Sequence, residues 1–468
     1  MVDTPLDRQL TEDARRALYG HLKALGNERH AHEKARKYYE GTEGVPRLIE
    51  GADKTHQTIA RESVDNIVGP IVDCFKGAIE IGEVRSECAE VTDHVAEIME
   101  RSRPEVFFAD AKLWTNVHGY SFLAVLPDDR EAGGKARVVA YPAAEVAAEY
   151  VDWRRDRFPT QAVLTVRVDN EVSTALLVTD TLVYPVEFRG DQMIQTGPAY
   201  EHGATFDGKP VCPVVMVQNE RSTSEDLPRG EPEKLFYKQN RINAMSYCRS
   251  VVGQHGAHKQ LIAITEEGVP NKTVARASAS SAVSVPLHPD DIEFLQLQET
   301  PLAPYTAVIQ DEKVGAAMIA SAPACVVAGS QSLSNVSTDT AASMEKQFVR
   351  RCNEKRELLA GALVTVLRLA LQMDGFEDAH DLKVSWADTT IRSFAATVDG
   401  IVKLAQMNVP IEDMLFLVPG IESRLDQIIK ATVEAKEKAE ALAEQERQQK
   451  LRDADSFATA NTTTGSDA

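Results

Sequence analysis

The sequence lacks any hydrophobic run long enough to cross a membrane. None of its 468 residues belongs to a stretch approaching the roughly 20 uninterrupted apolar residues that a spanning helix needs. The first residues, MVDTPLDRQLTEDARR, do not have the basic-then-apolar order of a signal peptide. We therefore expect a chain that stays in the cytoplasm where it is made and does not contact a membrane.

Paired cysteines are also missing. Six cysteines lie far apart with no C-x-x-C pair, at Cys74, Cys88, Cys212, Cys248, Cys325 and Cys352. This spacing favours reduced, buried thiols over a disulfide framework or a zinc site.

Positive charge is scarce. The chain has 51 lysines and arginines against 71 aspartates and glutamates, which gives a net charge of −20. Because binding along a nucleic-acid backbone depends on cations that neutralise phosphates, this balance argues against a protein that coats nucleic acid. An acidic surface around a duplex would repel it evenly, so DNA stays possible as a cargo that slides without sticking.

The common catalytic motifs are absent. The string nearest to a phosphate-binding loop, EAGGKAR at 131–137, lacks both the glycine spacing and the hydroxyl that would hold Mg²⁺. The serines of AGSQSLS at 328–334 are not in a G-x-S-x-G elbow. We therefore predict a protein that is not an enzyme and has no cofactor.

Two patterns keep a metal-dependent nucleic-acid enzyme open as a weaker alternative. Asp110 and Lys112 have part of a nuclease carboxylate–lysine spacing, but in a helical context. The histidines with possible metal-ligand spacing are His30, His32, His255, His258 and His288. No cysteine or carboxylate accompanies them at ligand spacing, so we interpret them as solvated or hydrogen-bonded side chains.

The first half of the chain changes from helical to strand periodicity. Leu6–Tyr39 and Ile59–Phe75 have helical patterns, and a bend is expected in the second at Gly69-Pro70. Between Tyr120 and Gln218, short β-branched runs alternate with turn residues. This region predicts a mostly antiparallel meander.

Two helices of the second half flank a small strand-like segment. The first begins near Glu231 and has a narrow apolar stripe, whereas 261–298 is strand-like and too small to hold a core alone. The second helix follows Pro301. Its expected apolar face consists of Leu302, Tyr305, Val308, Ile309, Ala316 and Ile319.

A single long helix is predicted from Asp339 to Asp374, with Gly375 ending it. Its first half is dense in charge and its second half is apolar almost all round, so we expect one exposed end and one buried end. A short strand at Leu382–Trp386 follows, and then further helices to about Arg452.

The order of these pieces resembles tailed-phage portal proteins, in particular the portal family typified by a Bacillus siphophage. The resemblance covers about Tyr38 to about Pro419. The stretches that carry it are ESVDNIVGPIVDCF, VCPVVMVQNERS, the helix from Glu231, HPDDIEFLQLQETPLAPYTAVIQ, LSNVS, EKRELLAGALVTVLRLAL and VSWADTTIRSFAATVDGIVKLAQMNVP.

The resemblance implies an α+β portal fold with an antiparallel β-rich wing, a two-helix stem, a small α/β clip, a long kinked tunnel helix and a helical crown. The implied parts are the wing at 1–228, stem helix 1 at 229–260, the clip at 261–300, stem helix 2 at 301–321, the tunnel loop at 322–338, the long helix and return to the wing at 339–392, the crown at 393–452 and a disordered tail at 453–468.

The resemblance also implies a function. Members of this family form a homo-oligomeric ring of about 12 copies at one capsid vertex, through which double-stranded DNA is packaged and ejected. The implied partners are the terminase, the head–tail adaptor, the major capsid protein and a scaffolding protein. The implied location is the virion, after synthesis in the host bacterial cytoplasm. Another virion structural subunit is the main alternative.

Three sets of site residues follow from the resemblance. The DNA-facing tunnel loop would be Ala328, Gly329, Ser330, Gln331, Ser332, Leu333, Ser334 and Asn335. The stem candidates for facing the channel are Lys238, Arg241 and Lys313. The clip residues expected to contact the adaptor or terminase are Glu266, Glu267, Pro270, Asn271, Lys272 and Arg276.

Overall fold

The computed structural model describes residues 28–48, 50–51, 54–128, 134–169, 172–189, 192–222, 226–256, 261–264, 293–296, 300–329, 338–376 and 379–387. The chain divides into two compact units, Met1–Thr389 and Thr390–Ala468. All described residues belong to the first unit, so the predicted crown and tail lie outside them.

Nine helices are found in the described part of the chain. They are α1 (28–40), α2 (Lys54–Glu62), α3 (Val68–Gly77), α4 (Ala89–Ser102), α5 (Pro104–His118), α6 (Glu231–Val251), α7 (Ala303–Ala320), α8 (Cys325–Ala328) and α9 (Thr338–Met373). A π-helical turn, Val252–Gly256, extends α6. Within the described residues, no helix has both the length and the apolar character that crossing a membrane would require.

The strands are short and most lie between α5 and α6. They are β1 (Ile81–Arg85), β2 (Tyr120–Pro127), β3 (Ala136–Pro142), β4 (Val146–Glu149), β5 (Gln161–Asp169), β6 (Val172–Val178), β7 (Leu182–Arg189), β8 (Gln192–Gln195), β9 (Tyr200–Glu201), β10 (Thr205–Phe206), β11 (Lys209–Pro210), β12 (Val214–Gln218), β13 (Leu261–Ile264), β14 (Glu293–Gln296) and β15 (Lys383–Trp386).

All the described strand pairs are antiparallel. The largest sheet has the order β4-β5-β6-β7-β8, with β9 also paired to β7, and is the meander that the sequence predicts. A second sheet has the order β12-β2-β3, so the last strand of the region returns beside the first. Together with the helices, these sheets confirm the α+β fold class.

The long helix α9 has the two different ends that its sequence predicts. Glu345 and Arg350 are exposed near its start, whereas Leu363 and Leu367 are fully buried against α4 and the β12-β2-β3 sheet. Gly375 ends the helix with φ +90°, and the Phe376 N–H donates to the Leu371 carbonyl oxygen at 2.9 Å. A positive φ at this position favours glycine because other residues would clash there.

The predicted bent helix over Ile59–Phe75 is wrong. The structure has two helices, because α2 ends at Glu62 and α3 begins at Val68. Asn66 Oδ1 accepts hydrogen bonds from the N–H groups of Val68 and Gly69, both at 3.1 Å. Pro70 therefore lies in a first helical turn, where its missing N–H has no partner to lose, and it starts a helix instead of bending one.

The expectation that all six thiols are buried is only partly correct. Cys212 and Cys352 are buried, but Cys88 and Cys325 are exposed. None of the six forms a disulfide.

Candidate functional site

The helices α6 and α7 pack against each other and are the two helices that the resemblance assigns to a stem. Leu235 and Ile242 of α6 lie in one apolar cluster with Ile309 and Ala316 of α7. The same cluster contains the apolar face of α3 and reaches Cys352 of α9. The inner faces of both helices are therefore buried within one chain.

Two of the predicted channel-facing cations share one carboxylate. Lys238 Nζ lies 2.6 Å from Glu312 Oε2, and Arg241 Nη2 lies 2.6 Å from Glu312 Oε1. Both cations belong to α6 and the carboxylate belongs to α7, so this ionic clamp crosses between the helices. Both cations therefore have an acidic partner, and the single carboxylate of Glu312 offsets one of their two positive charges. That these residues face a channel stays a prediction.

The third predicted cation has a partner on another segment. Lys313 Nζ lies 2.7 Å from Asp65 Oδ2, in the turn between α2 and α3. Gly315 leaves room for the clamp, because a Cβ atom at this position would lie 3.0 Å from Lys238 Nζ. All three predicted cations therefore fix α7 to its neighbours.

The apolar face predicted for α7 is wrong in part. Ile309 and Ala316 are buried as expected, but Val308 and Ile319 are 43% and 48% exposed. Met318, which was not in the predicted set, is 54% exposed. The helix is apolar on two sides, so a single periodic stripe could not separate the buried face from the exposed one.

Polar side chains of α6 anchor the segments that precede α3. Gln239 is 2% exposed and Asn243 is fully buried. Gln239 Oε1 accepts from the Ile67 N–H at 2.9 Å, and Asn243 Nδ2 donates to the Gly44 carbonyl oxygen at 2.9 Å. These bonds satisfy buried polar groups on both partners and fix the position of α6.

A buried ionic joint lies where α6 begins. Glu231, in the first turn of α6, is fully buried, and Lys355 of α9 is 5% exposed. Lys355 Nζ lies 2.8 Å from Glu231 Oε1 and 2.9 Å from Asn116 Oδ1, and it also donates to Asn219 Oδ1. The three donors of the ammonium group are therefore all used.

A second cation completes this joint. Arg351 Nη2 lies 2.7 Å from Glu231 Oε1. Burial alone would raise the pKa of Glu231, but the attraction of Lys355, Arg351 and Lys234 outweighs burial and holds that pKa far below its ordinary value. Glu231 is therefore ionised at neutral pH, at the positive end of the α6 dipole.

The backbone crosses itself closely beside the joint. A Cβ atom at Gly230 would lie 2.0 Å from the Val117 carbonyl oxygen, and one at Gly119 would lie 2.1 Å from the Pro228 carbonyl oxygen. Gly119 also has φ +92°. The segment that leads into α6 therefore passes over the end of α5 at a distance that only glycine allows.

The joint is the feature that sequence reasoning missed. The charge-rich first half of α9, which the sequence predicts to be exposed, contains Lys355, and the structure buries this lysine because Glu231, Asn116 and Asn219 surround it. The one available signal was a lysine with helical spacing to the apolar stripe of α9, at Leu359 and Cys352.

Most residues predicted for the loop and the clip lie outside the described part of the chain. Ala328 ends α8, and Gly329 follows with φ +71°. Ser330–Asn335 and all six predicted clip residues are not described. The strands β13 and β14 pair with each other between α6 and α7 in sequence.

The residues of the enzyme alternative do not form a site in the described part of the chain. Lys112 Nζ donates to the Ile79 carbonyl oxygen at 2.8 Å and lies over the Phe108 ring. Burial raises the pKa of Asp110. No group of three His, Cys, Asp or Glu side chains among the described residues is placed to hold a metal ion. His258 and His288 lie outside these residues.

No family model matches the sequence, and no curated protein matches it. The solved structures with similar chains include three of gene transfer agent particles. The chain in the virion of a native particle has a TM-score of 0.47 and 12% identity, covering 79% of this chain and 95% of that chain. The chain in the neck of an empty particle, computed with C6 symmetry, has a TM-score of 0.46 and 13% identity, with coverage of 79% and 95%. The chain in the neck of a native particle, computed with C12 symmetry, has a TM-score of 0.45 and 12% identity, with coverage of 79% and 94%.

Proposed function

We propose that this chain is a portal protein, a virion subunit that forms a ring at one capsid vertex through which double-stranded DNA enters and leaves. The observation that carries the proposal is the order of elements along the chain. The packed helices α6 and α7 are separated in sequence by the strand pair β13–β14, and the 36-residue helix α9 comes after α7. This is the order of parts that the sequence resemblance implies. In the proposal α6 and α7 are the stem and β13–β14 belong to the clip.

The exposed face of α7 supports assembly into a ring. Val308, Met318 and Ile319 are between 43% and 54% exposed, although the opposite face of the same helix is buried. Apolar residues that recur on one exposed helix face are typical of a surface that a second molecule covers. In the ring, we propose that this face packs against the neighbouring copy.

The charge distribution supports passage of DNA without tight binding. The net charge of the chain is −20, and the α6 cations Lys238 and Arg241 are already paired with Glu312. A bore lined by such a surface offers few free cations to phosphates, so a duplex can slide. The proposed partners stay the terminase, the adaptor, the capsid protein and a scaffolding protein.

Imaging of the purified protein by negative-stain electron microscopy tests the proposal. Rings with a central hole and about twelvefold symmetry are expected. The variant Met318→Glu should abolish rings and leave the circular dichroism spectrum unchanged, because it places a charge on the proposed contact face. Thr306→Glu, at another exposed position of α7, is the control and should form rings. Solid particles or sheets would indicate another virion subunit, and a stable monomer at all concentrations would refute the proposal.

A second experiment tests the proposed tunnel loop. Deletion of residues 328–334 should leave rings intact and block the filling or retention of DNA in assembled particles. Particles that package normally without these residues would contradict the role of the loop.

A further inference from the structure

A cavity of about 670 Å³ lies between α1, the end of α5, β2, β4 and the start of α6. None of its lining residues is among those predicted to face the DNA channel or to contact the adaptor or the terminase. The volume is large enough for a small organic molecule.

Negative charge dominates the polar side chains of this cavity. Four carboxylate residues line it, at Glu28, Glu149, Asp226 and Glu233, whereas Arg229 is the one lysine or arginine among its lining residues. Burial raises the pKa of Tyr120 well above its usual value, and the charges of Glu28 and Glu233 raise it further. At least two of the carboxylates therefore act on the same part of the cavity wall.

Aromatic rings form much of the remaining wall. Tyr120, Phe122, Tyr150 and Trp153 all line the cavity. A ring face attracts a cation through its quadrupole, and this attraction is stronger where water is excluded. Carboxylates combined with aromatic faces are a chemical match for an organic ammonium group, which has both positive charge and apolar carbon.

Two buried histidines give an independent indication of a ligand with N–H donors. His32 and His118 line the cavity and are 5% and 3% exposed. Neither ring nitrogen of His118 has a hydrogen-bond partner among the described residues, and the same holds for His32 Nδ1. Burial lowers the pKa of His32 to about 4 and that of His118 to about 3, so both rings are neutral at pH 7. A neutral imidazole has a lone pair that can accept from an ammonium N–H.

We propose that this cavity binds an aliphatic ammonium ligand, such as a linear polyamine or the side chain of a lysine from a second copy of this chain. Glu28 and Glu233 supply the charge, and Tyr120 and Trp153 supply the aromatic faces. Among the described residues no metal-binding group is found, so an organic cation fits the cavity better than a metal ion. This inference does not rest on the proposed function.

Calorimetric titration of the full chain with spermidine tests the proposal. Because a chain of net charge −20 attracts any polycation, the decisive comparison is between variants of equal charge. Glu233→Gln should weaken spermidine binding at least tenfold. Glu90→Gln, which removes an exposed carboxylate of α4 outside the cavity, should change the affinity less than twofold.

A variant that removes an aromatic side chain from the cavity wall tests the proposal without changing the charge of the protein. Trp153→Ala should weaken spermidine binding about tenfold and leave the circular dichroism spectrum unchanged. Equal affinities for wild type, Glu233→Gln and Trp153→Ala would overturn the proposal, as would absence of saturable binding to the dissociated wild-type protein.

The two sources of the ammonium group are separable in the same experiment. If a free polyamine is the natural ligand, spermidine binds the assembled and the dissociated protein alike. If a lysine of a neighbouring copy occupies the cavity, spermidine binds only the dissociated protein and not the assembled protein. In that case Glu233→Gln also weakens self-association. Either result supports recognition of an ammonium group.

Discussion

Lys355 Nζ of α9 lies 2.8 Å from Glu231 Oε1 in the first turn of α6, and both side chains are buried. This pair fixes the long helix to the start of the proposed stem. Asn116 of α5 and Asn219, which follows β12, complete its hydrogen bonds. The ammonium group of α9 therefore contacts three other segments, and a shift of α9 along its axis would break its contacts with all three.

The variant Lys355→Met should lower the free energy of unfolding by about 3 kcal/mol, because it leaves Glu231 buried with one cation fewer. Urea denaturation followed by circular dichroism measures this loss. Lys346→Met, at an exposed position of the same helix, is the matched control and should stay within about 0.5 kcal/mol of wild type. Adding Glu231→Gln to Lys355→Met should recover part of the loss; a fully additive effect would show that the two residues are not coupled.

The variant Gly230→Ala should destabilise the protein by more than about 2 kcal/mol, since its Cβ atom would lie 2.0 Å from the Val117 carbonyl oxygen. The segment leading into α6 would have to move away from α5. Gly361→Ala is the control, because a Cβ atom at Gly361 meets no atom within 4 Å. That change should raise stability by up to about 1 kcal/mol through helix propensity. Similar melting temperatures for the two variants would argue against a close crossing at Gly230.

The variant Glu312→Gln should free Lys238 and Arg241 from their shared carboxylate. Because the clamp is partly exposed, we expect a loss of only about 1 kcal/mol in stability. In rings, the two released cations should strengthen DNA binding and steepen its dependence on salt by up to about 2 in the log–log slope. Fluorescence anisotropy with a labelled duplex at several salt concentrations measures this slope. Asp311→Asn is the control, because it removes a neighbouring exposed carboxylate. If this variant steepens the salt dependence of DNA binding as much as Glu312→Gln does, the change comes from net charge and not from release of the two cations.

Stability should fall as the pH is lowered from 7 to 5, and the histidine pair should account for a large part of the loss. Burial lowers the pKa of His32 to about 4 and that of His118 to about 3. In the unfolded chain both histidines have their ordinary pKa, near 6.5. When the pH falls below about 6.5, the unfolded chain therefore takes up protons that the folded chain does not, and the folded state loses stability. The expected loss is roughly 2 kcal/mol at pH 5 for each histidine.

The double variant His32→Phe and His118→Phe checks this pH dependence and retains the aromatic contacts, since the two rings lie 4.9 Å apart between centroids. Urea denaturation at pH 7 and pH 5 should show a smaller loss for the variant than for wild type. Identical losses would assign the pH dependence to other groups, with the carboxylates first among them.

Much of the fold follows from the sequence because its periodic patterns are strong. The strand region at 120–218 and the long helix α9, which ends at Met373, agree with expectation. These elements combine a clear hydrophobic period with turn or capping residues, so local signals and burial agree. The sequence does not predict the break between α2 and α3, because the apolar pattern continues from one helix into the next. The break is visible only in the hydrogen bonds by which Asn66 caps the start of α3.

The joint and the cavity were not predictable by the same reasoning. Glu231 and Lys355 are 124 positions apart, and nothing in either local pattern shows that one will neutralise the other. His32 and His118 lie in separate helices and meet only after α1 packs on the end of α5. Pairings of this kind depend on tertiary contacts between distant segments, which hydrophobic periodicity does not encode.

The pairing of β1 with β15 has a consequence for synthesis. Val84 pairs with Val384. The strand β1 is therefore synthesised early, but its partner β15 is synthesised only near the end of the first unit. During translation, the apolar surface that later receives α9 and β15 stays uncovered until those residues emerge. Folding of this unit must therefore finish late, and any chain released before residue 383 would expose that surface to aggregation or to chaperones.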